Sequence, residues 1–290
     1  MSKTMIITDT CSDLPVELTD KYDVEILADT FQIDGRYFVE GIDFSHENFY
    51  EILPTPHDKI KSVSIPAAVF LDRYKNAATC GFTHVLVILA GPSVIPMHVS
   101  AREAIELFKE QNPTADLVIE VVDTENYSMS AGMLVLEAAK MADEKADFAD
   151  ILEKIKADAK KMTLLVDAFH VPKSFTDPSK PWSKWISLKS YHPFPTLKVT
   201  TEGATELPII KGDHSAFDQY LAYCVEALKQ NKPDYAIGYA TRVNEARALA
   251  MLIEEKVGYS PVALYKLGAI SAYGASKAAI ALCYKDETTA

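Results

Sequence analysis

The sequence predicts an α/β fold: two α/β domains, the first with a mainly parallel sheet flanked by helices. Three observations carry that prediction. The chain of 290 residues exceeds the usual size of a single core. Short β-branched runs of four to six residues each end in a polar or glycine turn. Longer stretches with helical periodicity separate them, and this alternating order implies parallel strands covered by helices. The charged helical stretch Asp147–Lys161 closes the first set, which puts the domains at 1–162 and 163–290.

Met5–Thr8 reads as the first strand, Val85–Leu89 as the second and Leu117–Val122 as the third. Ala67–Ala77 places Val69, Phe70, Tyr74 and Ala77 at helical spacing, and Val99–Gln111 carries Ala101, Ala104, Ile105 and Phe108 on one face. Ser128–Ala142 is a long helical stretch rich in Ala, Leu and Met. In the second half Thr163–Val166, Ile186–Leu188, Leu197–Thr200 and Tyr235–Tyr239 read as strands. Glu202-Gly203 reads as a turn and Leu207–Ile210 as the strand returning from it. Ala216–Lys229 and Asn244–Lys256 read as helices, Pro261–Leu267 and Ala278–Tyr284 as later strands, and Pro172–Lys184 as a loop.

Composition narrows the function. A formal charge of −12 disfavours nucleic acid and anionic membranes as partners. No apolar run approaches the ~20 residues that span a bilayer, and Met5-Ile6-Ile7 is too short for a signal-peptide core. The cysteines (Cys11, Cys80, Cys224, Cys283) are widely spaced with no CxxC pair, which fits reduced thiols in a cytoplasm. No metal ligand set is expected, because no HExxH or comparable spacing occurs. No cofactor is expected either.

In a parallel sheet ligands bind beyond the carboxyl ends of the strands. The turns Asp9–Asp13, Ala90–Pro96 and Asp123–Ser130 are therefore the places to look. The first, within Thr8-Asp9-Thr10-Cys11-Ser12-Asp13-Leu14-Pro15, is dense in reactive types. It reads as a nucleophile site, a ligand-holding turn, or a strand running into a helix capped by Ser12 or Asp13 with Pro15 in its first turn. An enzyme using Asp9, Ser12 and Asp13 for hydrolysis or phosphoryl transfer is one alternative. Such a serine needs a base within reach, and only His98 or His170 could approach in space. There is no G-x-S-x-G elbow and no P-loop.

Taken together the turns resemble the DegV family, the bacterial fatty-acid-binding proteins. Residues 8–15 fit the opening motif of that family closely. Lys61-Ser62-Val63-Ser64-Ile65-Pro66 is similar to its hydroxyl-bearing loop before a helix. Ala90-Gly91-Pro92-Ser93 is similar to the start of its next loop, and Val122-Asp123-Thr124 with Ser128-Met129 and Gly132 to a third landmark. In the second half Leu165-Val166-Asp167 resembles a family strand. The chain departs from the pattern at Phe175–Pro178, where Asp177 stands near a family arginine, and at Gly274, where the family has a histidine.

The resemblance implies two α/β domains with a long-chain fatty acid in the cleft between them. The carboxylate is held by loop hydroxyls and the tail enters an apolar tunnel in the first domain. It implies no catalysis, and an acyl carrier that presents its acid to a fatty acid kinase. The candidate ligand contacts are Ser62, Ser64, Gly91, Ser93, Ser128, Met129, Phe169, Tyr273 and Ser276. The physics is compatible: tail burial contributes roughly 0.8 kcal/mol per CH₂, on the order of 10 kcal/mol for sixteen carbons before ordering costs. Small residues and methionines in Ser128–Met133 suit a tunnel wall, though such stripes equally suit ordinary core packing. A binding module for another apolar acid remains the other alternative.

Overall fold

The computed structural model describes residues 3–52, 61–90, 97–167, 196–210, 216–275 and 278–288. The sequence-predicted loop Pro172–Lys184 and strand Ile186–Leu188 lie outside the described residues. The chain divides into two compact units, Met1–Ala159 and Lys160–Ala290.

In the first unit β1 (Thr4–Asp9) runs through a 3-10 turn (Thr10–Ser12) to α1 (Val16–Lys21). Then come β2 (Val24–Leu27), β3 (Thr30–Ile33), β4 (Arg36–Val39), α2 (His46–Ile52) and β5 (Lys61–Val63). The unit continues with α3 (Ala67–Thr79), β6 (His84–Leu89), α4 (Met97–Gln111), β7 (Val118–Asp123), α5 (Met129–Asp143) and α6 (Phe148–Ala159). The strands β2-β1-β6-β7 form one sheet, parallel throughout. Val85 to Leu89 are all fully buried, as expected of a strand covered on both faces. The parallel sheet read from the sequence is present, with each of its three predicted strands within a residue of place.

The sequence reading has neither β2 nor α2, nor three further strands, which make a second sheet. β4-β3-β5 is antiparallel and small. Its hairpin turns on Asp34-Gly35, both at positive φ (49° and 84°). Asp-Gly flanked by strand-forming residues is the hairpin signal in its strongest form, and it was readable. Phe31, Phe44 and Phe49 pack beneath it with centroids 5.5–5.9 Å apart. Lys61–Val63 is one of its strands, where the sequence reading had only a loop.

The second unit holds β8 (Met162–Asp167), β9 (Thr196–Thr200), β10 (Gly203–Glu206), α7 (Ala216–Lys229), β11 (Tyr235–Tyr239), α8 (Val243–Val257), β12 (Ala263–Lys266), α9 (Ala269–Ala275) and β13 (Ile280–Lys285). They build a mixed six-stranded sheet, β10-β9-β8-β13-β11-β12. Leu165, Tyr220, Cys224, Leu228, Ile237, Leu249, Ile253 and Leu282 form its core. The predicted return strand Leu207–Ile210 is corrected to Gly203–Glu206. Gly203 pairs directly with Thr200, so only two residues turn the corner. Leu207 still donates to the Thr196 carbonyl, and Pro208, with no N–H to give, follows where the ladder stops.

Among the described residues no helix is long and apolar enough to cross a membrane. Helix α5 approaches the turn after β1 closely. A Cβ on Gly132 would fall 2.3 Å from the Ser12 carbonyl oxygen. The glycine thus admits backbone from the β1 turn, which at this position fits the core-packing reading of the small residues of α5. Replacing it with alanine forces helix and turn apart. Gly132→Ala is expected to lower stability by about 1–3 kcal/mol, measured as the shift in urea midpoint at unchanged m-value.

Candidate functional site

The connections of a parallel sheet carry each helix back against its strands, so helix N-termini gather at the carboxyl edge. In the first unit that edge is formed by Asp9, Ala90 and the Asp123–Ser128 connection, with the starts of α3, α4 and α5 around it. Its first element is the turn after β1. Asp9 is fully buried, and its carboxylate accepts N–H bonds from Cys11 (2.8 Å) and Ala90 (3.4 Å). Asp9 thereby caps the 3-10 turn. Asp13 sits at the other end of that turn with φ 53°, and Pro15 occupies the cap position of α1. Neither Ser12 nor Asp13 is the helix cap that the sequence suggested. The 3-10 turn intervenes and spends both residues before α1 begins.

Ser12 donates its hydroxyl to the Asp9 backbone carbonyl (2.9 Å), and among the described residues no histidine bonds it. Of the two candidate bases of the enzymatic alternative, His98 does not bond it and His170 lies outside the described residues. Ser128 donates to the Asp13 carboxylate, and its own backbone is held at φ 53°, ψ −138°. That conformation is costly for an L-residue and persists only where the surroundings impose it. They do so here: Thr124 hydroxyl bonds the Leu89 carbonyl (2.9 Å), and the Asn126 amide bonds the carbonyls of Thr124 and Ala159 (both 2.7 Å). Met129 follows in the first turn of α5, fully buried.

Ser64 stands three residues before the first residue of α3, whose cap position is Pro66. Its hydroxyl lies 3.4 Å from that of Ser100, in the first turn of α4. Both are half-buried. Two helix N-termini thus bring two hydroxyls together, and both the hydroxyls and the free N–H groups of helix starts are donors for an anion. Ser100 was not among the sequence candidates; its only signal was its place at the start of the helix after β6. Ser62 lies in β5, opposite Phe31 and half-buried. Tyr273 belongs to α9 in the second unit. Gly91, Ser93, Phe169 and Ser276 lie outside the described residues. The structure therefore brings Ser64 to Ser100 and Ser128 to Asp13, and holds Ser62 in a separate sheet.

Two acids that the sequence reading passed over complete the electrostatics. Asp29 follows β2 and Glu40 follows β4; both are buried. Burial pushes Asp9 up to about 7, opposed by the Ala90 and Cys11 N–H groups and reinforced by Asp13 and Glu40. Burial also raises Asp29 well above the usual carboxylate range, with the charge of Asp9 next in weight. The Cys11 thiol is raised by burial first and by the four surrounding carboxylates after that. Such surroundings disfavour the thiolate form that a free cysteine nucleophile needs. In the second unit Asp167, at the end of β8, pairs with Arg242 at 3.0 Å. Burial there outweighs the guanidinium and holds Asp167 at about 6.

A separate open groove of about 570 Å³ lies beside β7, lined by Ile105, Ile119, Val121 and Val122 under a charged rim that includes Arg102 and Lys156. None of the sequence-predicted contacts among the described residues lines it.

The family model described as "Uncharacterised protein, DegV family" matches residues 3–169, more than half of the chain. The chain belongs to the DegV family. A DegV domain-containing protein of Caldanaerobacter subterraneus is 30% identical over 158 residues, 53% of this chain and 52% of its own. One of Clostridium perfringens is 22% identical over 160 residues, 53% of each chain. This DegV chain spans about half the length of the curated relatives it matches. Among solved structures, a fatty acid (stearic acid)-binding protein from Eubacterium ventriosum aligns over 100% of both chains at 17% identity and TM-score 0.84. A fatty acid binding DegV family protein from Streptococcus agalactiae aligns over 99% of this chain and 100% of its own, at 20% identity and TM-score 0.78. At these identities the likeness is one of fold.

Within the DegV frame the strained Ser128 gives a direct test. Ser128→Ala removes the bond to Asp13 and keeps the unfavourable backbone. Ser128→Gly removes the same bond and relieves the backbone. The alanine variant is expected to be the less stable of the two by about 1 kcal/mol, measured by chemical denaturation. Equal stabilities would show that Ser128 is not strained.

Proposed function

We propose that this chain binds one long-chain fatty acid and performs no chemistry on it. The observation that carries the reading is the Ser64–Ser100 hydroxyl pair at two helix starts beside the carboxyl edge of the parallel sheet. These hydroxyls, with Ser62, Gly91 and Ser93, are the proposed donors for the carboxylate. The apolar tail supplies most of the affinity through burial, and Met129, flexible and polarizable, is its proposed neighbour on α5. Ser128 is proposed at the same rim, with Phe169, Tyr273 and Ser276 as the contacts of the second unit. Support comes from family membership and from the fold shared with proteins described as fatty acid binding. Presentation of the acid to a fatty acid kinase belongs to the same reading and rests on the family resemblance.

Purified chain, denatured and extracted, is expected to release close to one acyl chain per molecule by mass spectrometry. Repeated absence of acyl lipid, with no binding of a fluorescent fatty acid, overturns the proposal. Acids shorter or bulkier than a long acyl chain winning in competition would point to a different apolar acid.

The head-group assignment has its own readout. Ser64→Ala is expected to weaken binding of the free acid about fivefold, near 1 kcal/mol for one hydrogen bond. Binding of the methyl ester should barely change. Equal losses for both ligands remove Ser64 from the head-group site.

A further inference from the structure

The end of β1, the turn after it and the segment after β2 bring together three side chains whose chemistry exceeds what a fatty acid requires. Asp9, Cys11 and Asp29 each offer one ligand atom, and these atoms lie within 4.8 Å of one another. All three residues are buried, Asp9 and Asp29 completely. Among the described residues neither carboxylate forms an ion pair, and Asp13 and Glu40 add charge of the same sign. A second observation is independent of this clustering: Asp29 Oδ1 is buried with no hydrogen-bond partner among the described residues. An unpaired carboxylate oxygen inside a protein is expensive. It belongs to the same carboxylate that offers a ligand atom to the cluster, so Asp29 has an acceptor to spare there.

We propose that Asp9, Cys11 and Asp29 form a buried site for one divalent transition-metal ion that accepts a thiolate, with Zn²⁺ as its reference occupant. The donor set selects the ion class. One sulfur and two oxygens suit a borderline-soft ion and do not suit Mg²⁺ or Ca²⁺, which take oxygen ligands alone. A tetrahedral ion with bonds of about 2.0–2.3 Å holds its ligands roughly 3.3–3.8 Å apart, so the three groups need close inward by no more than about 1.5 Å. Their outer contacts are in place. The Thr10 hydroxyl donates to Asp29 Oδ2 at 2.7 Å, and the Cys11 and Ala90 N–H groups hold Asp9. Such supporting bonds orient metal ligands. Binding releases to solvent whatever protons the three ligands carry, the Cys11 thiol proton included. The bound ion cross-links the β1 turn to the end of β2. This site goes beyond the lipid reading, and neither depends on the other.

The test uses the full chain. Metal-stripped protein is titrated with Co²⁺ and followed by absorbance, then with Zn²⁺ and followed by thermal unfolding. One equivalent of Co²⁺ is expected to give a thiolate-to-cobalt charge-transfer band, and Zn²⁺ to raise Tm by several degrees. Cys11→Ser should abolish the band, Asp29→Asn should weaken Co²⁺ binding at least tenfold, and Cys80→Ser should change neither. A wild-type chain that shows no charge-transfer band overturns the proposal, whether or not the variants fold. A band that persists in Cys11→Ser overturns it as well, since the thiolate would then be another cysteine.

Discussion

Helix α5 lies so close to the turn after β1 that the Ser12 carbonyl occupies the space where a side chain of residue 132 would begin. Everything at the carboxyl edge of the first unit is arranged around that approach. The turn cannot relax outward, because the Asp9 carboxylate accepts the Cys11 N–H and Ser128 donates to Asp13. The helix cannot slide, because its entry loop is tied to β6 by Thr124 and to the end of α6 by Asn126. The strained backbone of Ser128 follows from these ties. A glycine at one point and a serine four residues earlier therefore fix a polar turn against an apolar helix. The rigid rim that results is the kind of support a binding site needs.

The same packing explains the electrostatics. Bringing the turn under the helix removes Asp9, Asp29 and Glu40 from water. Carboxylates in such a place demand compensation, from N–H donors, from protons or from a cation. The first is present at Asp9 and incomplete at Asp29. In the second unit the comparable edge is handled differently. Asp167 is met by Arg242, whose guanidinium also bonds the Ala278 carbonyl, so charge is balanced by charge. The two units thus present sheet edges of opposite electrostatic habit.

Much of the frame was legible because buried parallel strands announce themselves. Val85–Leu89 is an unbroken apolar run of strand length, and its valines and isoleucine argue for a strand over a buried helix segment. The helices α3, α4, α7 and α8 were legible from periodicity for similar reasons. Residues 24–39 were not read, because strands of four residues carry little pattern, yet Asp34-Gly35 between Ile33 and Arg36 was there to be used. The site was legible by location and not by contact. Strand ends can be placed from sequence, but the meeting of Ser64 with Ser100 depends on how two helices pack. Asp29 and Glu40 were invisible for a further reason: an acid in a loop looks solvated until the fold closes over it. The caps of the opening motif were misread because a 3-10 turn leaves no periodic trace in three residues.

The order of strands in the second unit has a consequence for how the chain is made. β13, the last strand in sequence, lies in the middle of its sheet, between β8 and β11. Residues 280–285 pair with residues 162–167 on one side and 235–239 on the other. On a ribosome the first unit can close as soon as α6 emerges, whereas the second must wait for its central strand. Until then β8 and β11 present two open ladders, the condition that invites pairing with other chains. A chaperone or a fast-folding first unit would be of most use during that interval, and contacts this distant in sequence make the final closure the slow step of folding.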